Sequence, residues 1–427
     1  MAFQQGLSGL NSASRALDVT SNNIANSSTV GFKSASAHFA DVFANSLSGS
    51  GASQVGIGTS TSAVQQSFTQ GNVTTTNNPL DIAINGGGFY RMSTNGSITY
   101  SRNGQFHLDK DGYVIDDQAR RLTGNQATNG VINGALGDIQ ISSAMINPSQ
   151  TATVDMGLNL NSGSTALTAA SVPPALIAGT LVAGATPGTY LAPAVASYNN
   201  STSQTIYDSL GNAHVQTYYF VKNSANSWNV LSTVDNGANN GGEITDVTTL
   251  VFGPTGTLTA PAGGTVAGVA LNWDASMAVA AQSLSFDFAQ TTQYGSAFAT
   301  NSLGQDGYTS GRLTGLSVAA DGMINGNYSN GQARTLGQVV LANFTNPNGL
   351  ASLGSNQWAE TTTSGSAIVG TPNTGTLGVL QSAAVEESNT DLTAELVNMI
   401  TQQRNYQANA QSIKTQDQIM QTLVNLR

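Results

Sequence analysis

A chain of 427 residues exceeds one ordinary core, and about two or three domains are expected. Only 8% of the residues are charged, 13 Lys+Arg against 23 Asp+Glu leave a net charge of -10, and Lys222 is the sole Lys or Arg between Arg121 and Arg312; with no basic stripe to neutralise phosphates, no nucleic acid partner is expected. Cysteine is absent, which rules out disulfides, thiolate zinc sites and cysteine nucleophiles.

Residues 3–24 predict a helix. Phe3, Leu10, Leu17 and Ile24 recur every seven residues, Leu7 joins them at i+4 from Phe3, and Ser, Asn and Gln fill the other faces. Asn26-Ser27-Ser28 ends it. Residues 34–70, rich in Ser, Ala and Gly with scattered Phe39, Val42, Phe43 and Leu47, read as a short helical piece and an extended linker. No basic start and cleavage site mark a Sec-type signal peptide at the N-terminus.

From about residue 71 the period changes to two. Leu80, Ile82 and Ile84 alternate with polar residues, Gly86-Gly87-Gly88 precedes Phe89-Tyr90, and Asn103-Gly104 and Asp111-Gly112 read as turns beside Phe106, Leu108, Tyr113 and Ile115. Residues 71–145 are therefore expected to be β-rich. Residues 146–287 read as a looser inserted β-domain, with strands at Val215 to Val221, Trp228 to Leu231, Thr248 to Phe252 and Leu284 to Phe288. Within it Ala175 to Ala185, the longest apolar run, is hemmed by Pro173, Pro174 and Pro187 and falls well short of the ~20 residues of a membrane helix; no membrane insertion is expected. Turns at Asp306-Gly307, Asp321-Gly322 and Asn325-Gly326 and a strand at Val339-Val340-Leu341 with Phe344 suggest that the first β-domain resumes over 288–374.

A final helix is expected from near Ser388, with Ser388 as cap and Asp391 complementing the helix N-terminus. Leu392, Met399, Tyr406, Ile413 and Met420 repeat every seven residues, flanked by Leu396 and Val424. Ser14 and Ser21 interrupt the first seam, and Gln403 and Asp417 the second, so neither predicts an autonomous zipper. Helices so weakly patterned are expected to order on assembly, leaving Arg15, Lys33, Arg404 and Lys414 open to trypsin in the monomer. The fold class is thus mainly β with terminal α-helices: coiled-coil-like helices at both ends and two nested β-domains. The parts are 1–70 with 375–427, 71–145 with 288–374, and 146–287.

His38, His107 and His214 have no second His or Cys at ligand spacing and read as surface or turn histidines. There is no Gly-x-Ser-x-Gly elbow and no P-loop, and Gly86-Gly87-Gly88 reads as a close approach of two backbones. Asp109 and Asp111 read as a hairpin turn and Glu386-Glu387 as a solvated pair before the helix. No enzyme activity, cofactor or metal site is expected. The residues expected to matter are the subunit-packing set Phe3, Leu7, Leu10, Leu17, Ile24, Leu392, Leu396, Met399, Tyr406, Ile413, Met420 and Val424.

Longer blocks carry a resemblance. SNNIANSSTVGFK, from Ser21 to Lys33, resembles the N-terminal signature of the bacterial flagellar axial proteins, the rod, hook and junction subunits. NNPLDIAINGGGFY from Asn77 and YSRNGQFHLDKDGYVID from Tyr100 are similar to blocks of distal rod and hook proteins. IYDSLGNAHVQTYYFVK from Ile206, GQVVLANFTNPNGLASLGSNQW from Gly337 and the stretch from Asp391 to Arg427 resemble the hook family. That resemblance implies a helical homopolymer, the flexible joint passing torque from rod to filament. It implies the flagellar rod, the hook cap, the hook-filament junction protein and the type III export apparatus as partners. It also implies an extracellular place in the flagellum, reached without a cleaved signal peptide. A distal rod subunit is the alternative within the class. A secreted β-domain binder or hydrolase is the alternative outside it.

Overall fold

The computed structural model describes residues 2–42, 56–142, 144–167, 197–235, 245–271, 273 and 277–425. The apolar run Ala175 to Ala185, and Phe43 and Leu47, lie outside the described residues. The chain forms two compact units. One comprises Met1–Ser143, Thr314–Asn327 and Ala333–Arg427, the other Ala144–Leu313 and Tyr328–Gln332.

In the first unit a helix spans Ala2–Ala25 and a second Leu392–Asn425, with β-structure between them. Strand Phe89–Thr94 is the hub, pairing with Ser97–Ser101, Arg121–Thr128 and Leu341–Asn343. Phe89, Tyr100, Phe344 and Trp358 are buried on one another with Phe68 against them, the rings meeting edge-on at 4.8–5.8 Å, a geometry aromatic quadrupoles favour. Two short antiparallel ladders close the β-structure across the sequence. Val73–Thr75 pairs with Ala384–Glu386, and Ile82–Asn85 with Val379–Ser382. This is how the two chain ends come together. The expected close approach at Gly86 is present: a Cβ there would lie 2.9 Å from the Cα of Gly378, and one on Gly378 would lie 2.5 Å from the carbonyl oxygen of Asn85.

The second unit is a pair of packed sheets. Strands Asn200–Tyr207, Ala213–Ser224, Ser227–Val234, Thr245–Phe252 and Leu258–Ala260 form an antiparallel sheet in chain order. Thr153–Asn161 lies in the other, between Gln282–Asp287, Thr292–Tyr294 and Ala299–Gln305. Val154, Met156, Leu158 and Leu160 share one buried cluster with Tyr218, Phe220, Trp228, Val230 and Phe286. Inward-facing residues of two sheets thus make the core. The Trp228 indole N–H donates to Gln293 Oε1 at 2.8 Å, which satisfies its buried polar atom. The unit runs on to Leu313, past the residue 287 at which the sequence placed its end.

Several local expectations are corrected. Residues 34–70 hold no helix among those described: Ala35–Val42 and Gly58–Gln66 pair as an antiparallel two-stranded ribbon. Asn325-Gly326 lies inside strand Met323–Tyr328 rather than in a turn. At Asn103-Gly104 the glycine serves proximity, because a Cβ would fall 1.7 Å from the carbonyl oxygen of Ile82. Asp111-Gly112 is a turn, with Asp109 Oδ1 accepting the N–H groups of Asp111 and Tyr113, but Val114 is the core residue beyond it, not Tyr113 or Ile115. The last helix is capped by Asp391, whose Oδ1 accepts the N–H groups of Thr393 and Ala394 at 2.9 and 3.1 Å; the Ser388 hydroxyl binds Thr390 instead. Glu386 is not solvated but buried in ion pairs, and Lys33, one of its partners, is buried with it.

Candidate assembly surface

The N-terminal and C-terminal helices pack side by side, antiparallel, through a face the apolar pattern did not single out. A Cβ on Gly6 would touch Ile413 at 3.0 Å, one on Gly9 would meet the Asn409 side chain at 2.8 Å, and the Asn23 amide donates to Glu395 Oε1 at 3.0 Å. As one number rises the other falls, which fixes the direction. Gly6, Ala13, Ala16, Thr20 and Asn23 are the buried residues of the N-terminal helix, and with Gly9 they alternate three- and four-residue steps. That spacing keeps one seam facing a partner helix, and small residues let the two backbones approach closely. The apolar stripe from Phe3 to Ile24 lies roughly 100° around the helix from this seam.

On the C-terminal helix the seam has two columns. Of the expected apolar one only Met399 and Ile413 are half-buried; Glu395, Gln402, Asn409 and Gln416 form a half-buried polar one beside it. Polar groups meeting small residues make a contact that is specific in register and poor in apolar burial.

The packing set therefore divides. Leu10, Leu17, Ile24, Met399 and Ile413 are half-buried within the chain. Phe3 (52% exposed), Leu7, Leu392, Leu396 (45%), Tyr406, Met420 and Val424 (72%) are open to solvent, and so are Val397, Ile400 and Ile419, which the sequence reading did not single out. Exposed apolar residues thus sit at both ends of the helix pair: Leu392, Leu396, Val397 and Ile400 at one, Phe3, Leu7, Ile419, Met420 and Val424 at the other. By the register of Gly6 and Gly9, the C-terminal helix overhangs the start of its partner by about 12 Å, at roughly 1.5 Å per residue.

The ribbon lies against another side of the N-terminal helix. Gln5 Nε2 donates to the carbonyl oxygen of Gly56, Ser8 Oγ accepts the N–H of Thr59, and Asn23 clasps both the N–H and the carbonyl of Ala35. Both strands are otherwise largely exposed. Two strands with no sheet behind them are marginal alone, so the ribbon depends on these supports. Among the described residues no group of His, Cys, Asp and Glu could hold a metal ion, and no helix is long and apolar enough to cross a membrane. His214 is buried rather than at the surface, between the Asp208 carboxylate and the carbonyl oxygen of Asp235 and beside Trp273.

Four family models match along the chain: the flagella basal body rod protein over 3–33, the flagellar hook protein FlgE/F/G D1 domain over 83–156, the flagellar basal body protein FlaE D2 domain over 182–308, and the flagellar basal body rod FlgEFG protein C-terminal over 381–426. The flagellar hook protein FlgE of Escherichia coli K12 is 44% identical over 439 residues, covering 100% of both chains. The chain belongs to the flagellar hook protein family. The hook protein of Salmonella typhimurium is 43% identical over 434 residues, and that of Borreliella burgdorferi 29% over 468, each along 100% of this chain. The crystal structure of Helicobacter pylori flagellar hook protein FlgE2 covers 73% of this hook-family chain and 100% of its own, with a TM-score of 0.52 at 14% identity, a likeness of fold.

Proposed function

We propose that this structural subunit of the flagellar hook builds its polymer through the exposed apolar residues at the two ends of its helix pair. The hook is the flexible joint that passes torque from rod to filament, so its subunits must hold one another firmly around the axis and yield along it. One observation carries the reading. The two helices satisfy each other with small and polar residues, which leaves Phe3, Leu7, Leu396, Met420 and Val424 in water. Apolar side chains left open in groups at each end of the pair mark contact surfaces, and burying each contributes about 1.5–3 kcal/mol. A neighbouring copy in the same orientation presents the complementary end.

In this reading 1–70 with 375–427 form the inner layer, 71–143 with most of 314–374 the middle one, and the second unit, 144–313, the outer one in place of the 146–287 expected from the sequence. The sparse charge of the outer residues suits surfaces that slide past one another, with few directional bonds to break. The role is structural and not enzymatic. The subunit adjoins basal body components; the rod, the hook cap, the hook-filament junction protein and the type III export apparatus are the partners proposed, and the outside of the cell its place, reached without a cleaved signal peptide. The runner-up within the family is a distal rod subunit. Electron micrographs of tubes grown from the purified chain decide between them: curved tubes are expected, and uniformly straight ones would favour the rod.

A further inference from the structure

We propose that Lys33, Arg102 and Glu386 form a buried joint that fixes the direction in which both terminal segments leave the β-structure, a device of conformational specificity rather than of stability. The three side chains are 0%, 3% and 1% exposed. Glu386 Oε1 accepts from Lys33 Nζ at 2.7 Å and from the N–H of Gly71 at 2.9 Å; Oε2 accepts from Arg102 Nη1 at 3.2 Å; and the backbone carbonyl of Glu386 accepts the N–H of Gly31 at 2.8 Å. Lys33 Nζ donates onward to the carbonyl of Thr69, and Arg102 Nη2 to that of Gly86. One residue therefore grips the segment after the N-terminal helix, the segment after the ribbon, and the β-structure, and it stands six residues before the C-terminal helix. Moving any of these segments breaks a buried charged bond.

The cluster is poorly built for stability. Two cations share one carboxylate, leaving a net positive charge in the interior, and Arg102 Nε is buried with no partner. Burial pushes the Lys33 ammonium and the Arg102 guanidinium below their ordinary values, against the pull of Glu386, so desolvation outweighs the attraction. Replacing such a cluster by apolar side chains is often neutral or stabilising, and here the role assigned to it is geometry. The inference is independent of the polymer contacts proposed above.

The chain has no cysteine, so spin labels can be placed cleanly at two exposed positions, Thr94→Cys in the β-structure and Ala394→Cys at the root of the C-terminal helix. The full-length chain and its Lys33→Met, Arg102→Met, Glu386→Met triple variant are compared by pulsed dipolar spectroscopy and thermal unfolding. The joint predicts a narrow distance distribution in the parent, a broadened one in the variant, and a melting temperature unchanged or raised. An equally narrow distribution in the folded variant, a broad one in the parent, or a variant that unfolds or melts lower would each overturn it.

Discussion

Gly6 and Gly9 act through the side chain they lack. At Gly9 the nearest obstacle is the flexible end of Asn409, so Gly9→Ala is expected to be nearly neutral, while Gly9→Leu forces the helices apart and costs about 1–3 kcal/mol in urea unfolding. At Gly104 the obstacle is backbone, 1.7 Å from the added carbon, and even alanine is expected to cost about 3 kcal/mol. The seam of small residues was legible in principle, since it recurs every seven residues as the apolar stripe does; a search for large side chains passes over it. Glu386 and His214 were less legible. Nothing local distinguishes a solvated carboxylate from one that meets Lys33 and Arg102 from far along the chain.

Elements read from strong periodicity are where the sequence placed them. Both terminal helices and the strands around Val215, Trp228 and Thr248 follow from spacing and β-branched composition. The ribbon does not, because its strands are exposed on both faces and carry no alternating apolar signal. One of its supports is Asn23, inside the N-terminal signature. Asn23→Ala leaves the backbone groups of Ala35 and the Glu395 carboxylate without this partner; a loss of about 1–3 kcal/mol is expected, read as faster hydrogen exchange over Ala35–Val42. Lys33, placed by the sequence among the sites open to trypsin, is buried in its ion pair and is expected to resist cleavage in the folded chain. Of the substitutions the repeats suggest, Ile413→Asp is a poor probe of subunit contacts, since Ile413 packs on Gly6 within the chain; Leu396 is a clean one.

At the scale of the molecule, the second unit is self-contained. Ser149 and Tyr308 pair directly near the two ends of its main segment, and its buried cluster falls between Val154 and Phe288. Excising 150–307 through a short turn is therefore expected to leave the Phe89 and Trp358 core folded, as judged by near-ultraviolet circular dichroism, and to spare polymerisation while altering curvature. In the second unit burial would raise Asp208 and Asp306, but hydrogen bonds from Asn212 to the first and from the backbone of Thr153 and Ala152 to the second hold both below the ordinary 3.8. The unfolded chain then binds more protons, so the stability these groups give is complete above that value and is lost as pH falls through their lowered ones. Alkali acts with the opposite sign: burial raises Tyr100 to about 12 and Tyr90 well above its ordinary 10.0, so stability is lost as pH climbs from there. In single-tryptophan variants that keep Trp228 or Trp358, one in each unit, the Trp228 signal is expected to change in acid and both signals in alkali, where burial also raises Tyr218 in the second unit. In the proposed assembly the helix pair is closed by small residues within the chain and sticky outside it. Sedimentation of Leu396→Asp beside the parent chain tests this most directly. The variant is expected to melt as the parent does yet remain monomeric under conditions where the parent forms tubes; tubes formed as readily as by the parent would overturn the proposed contacts.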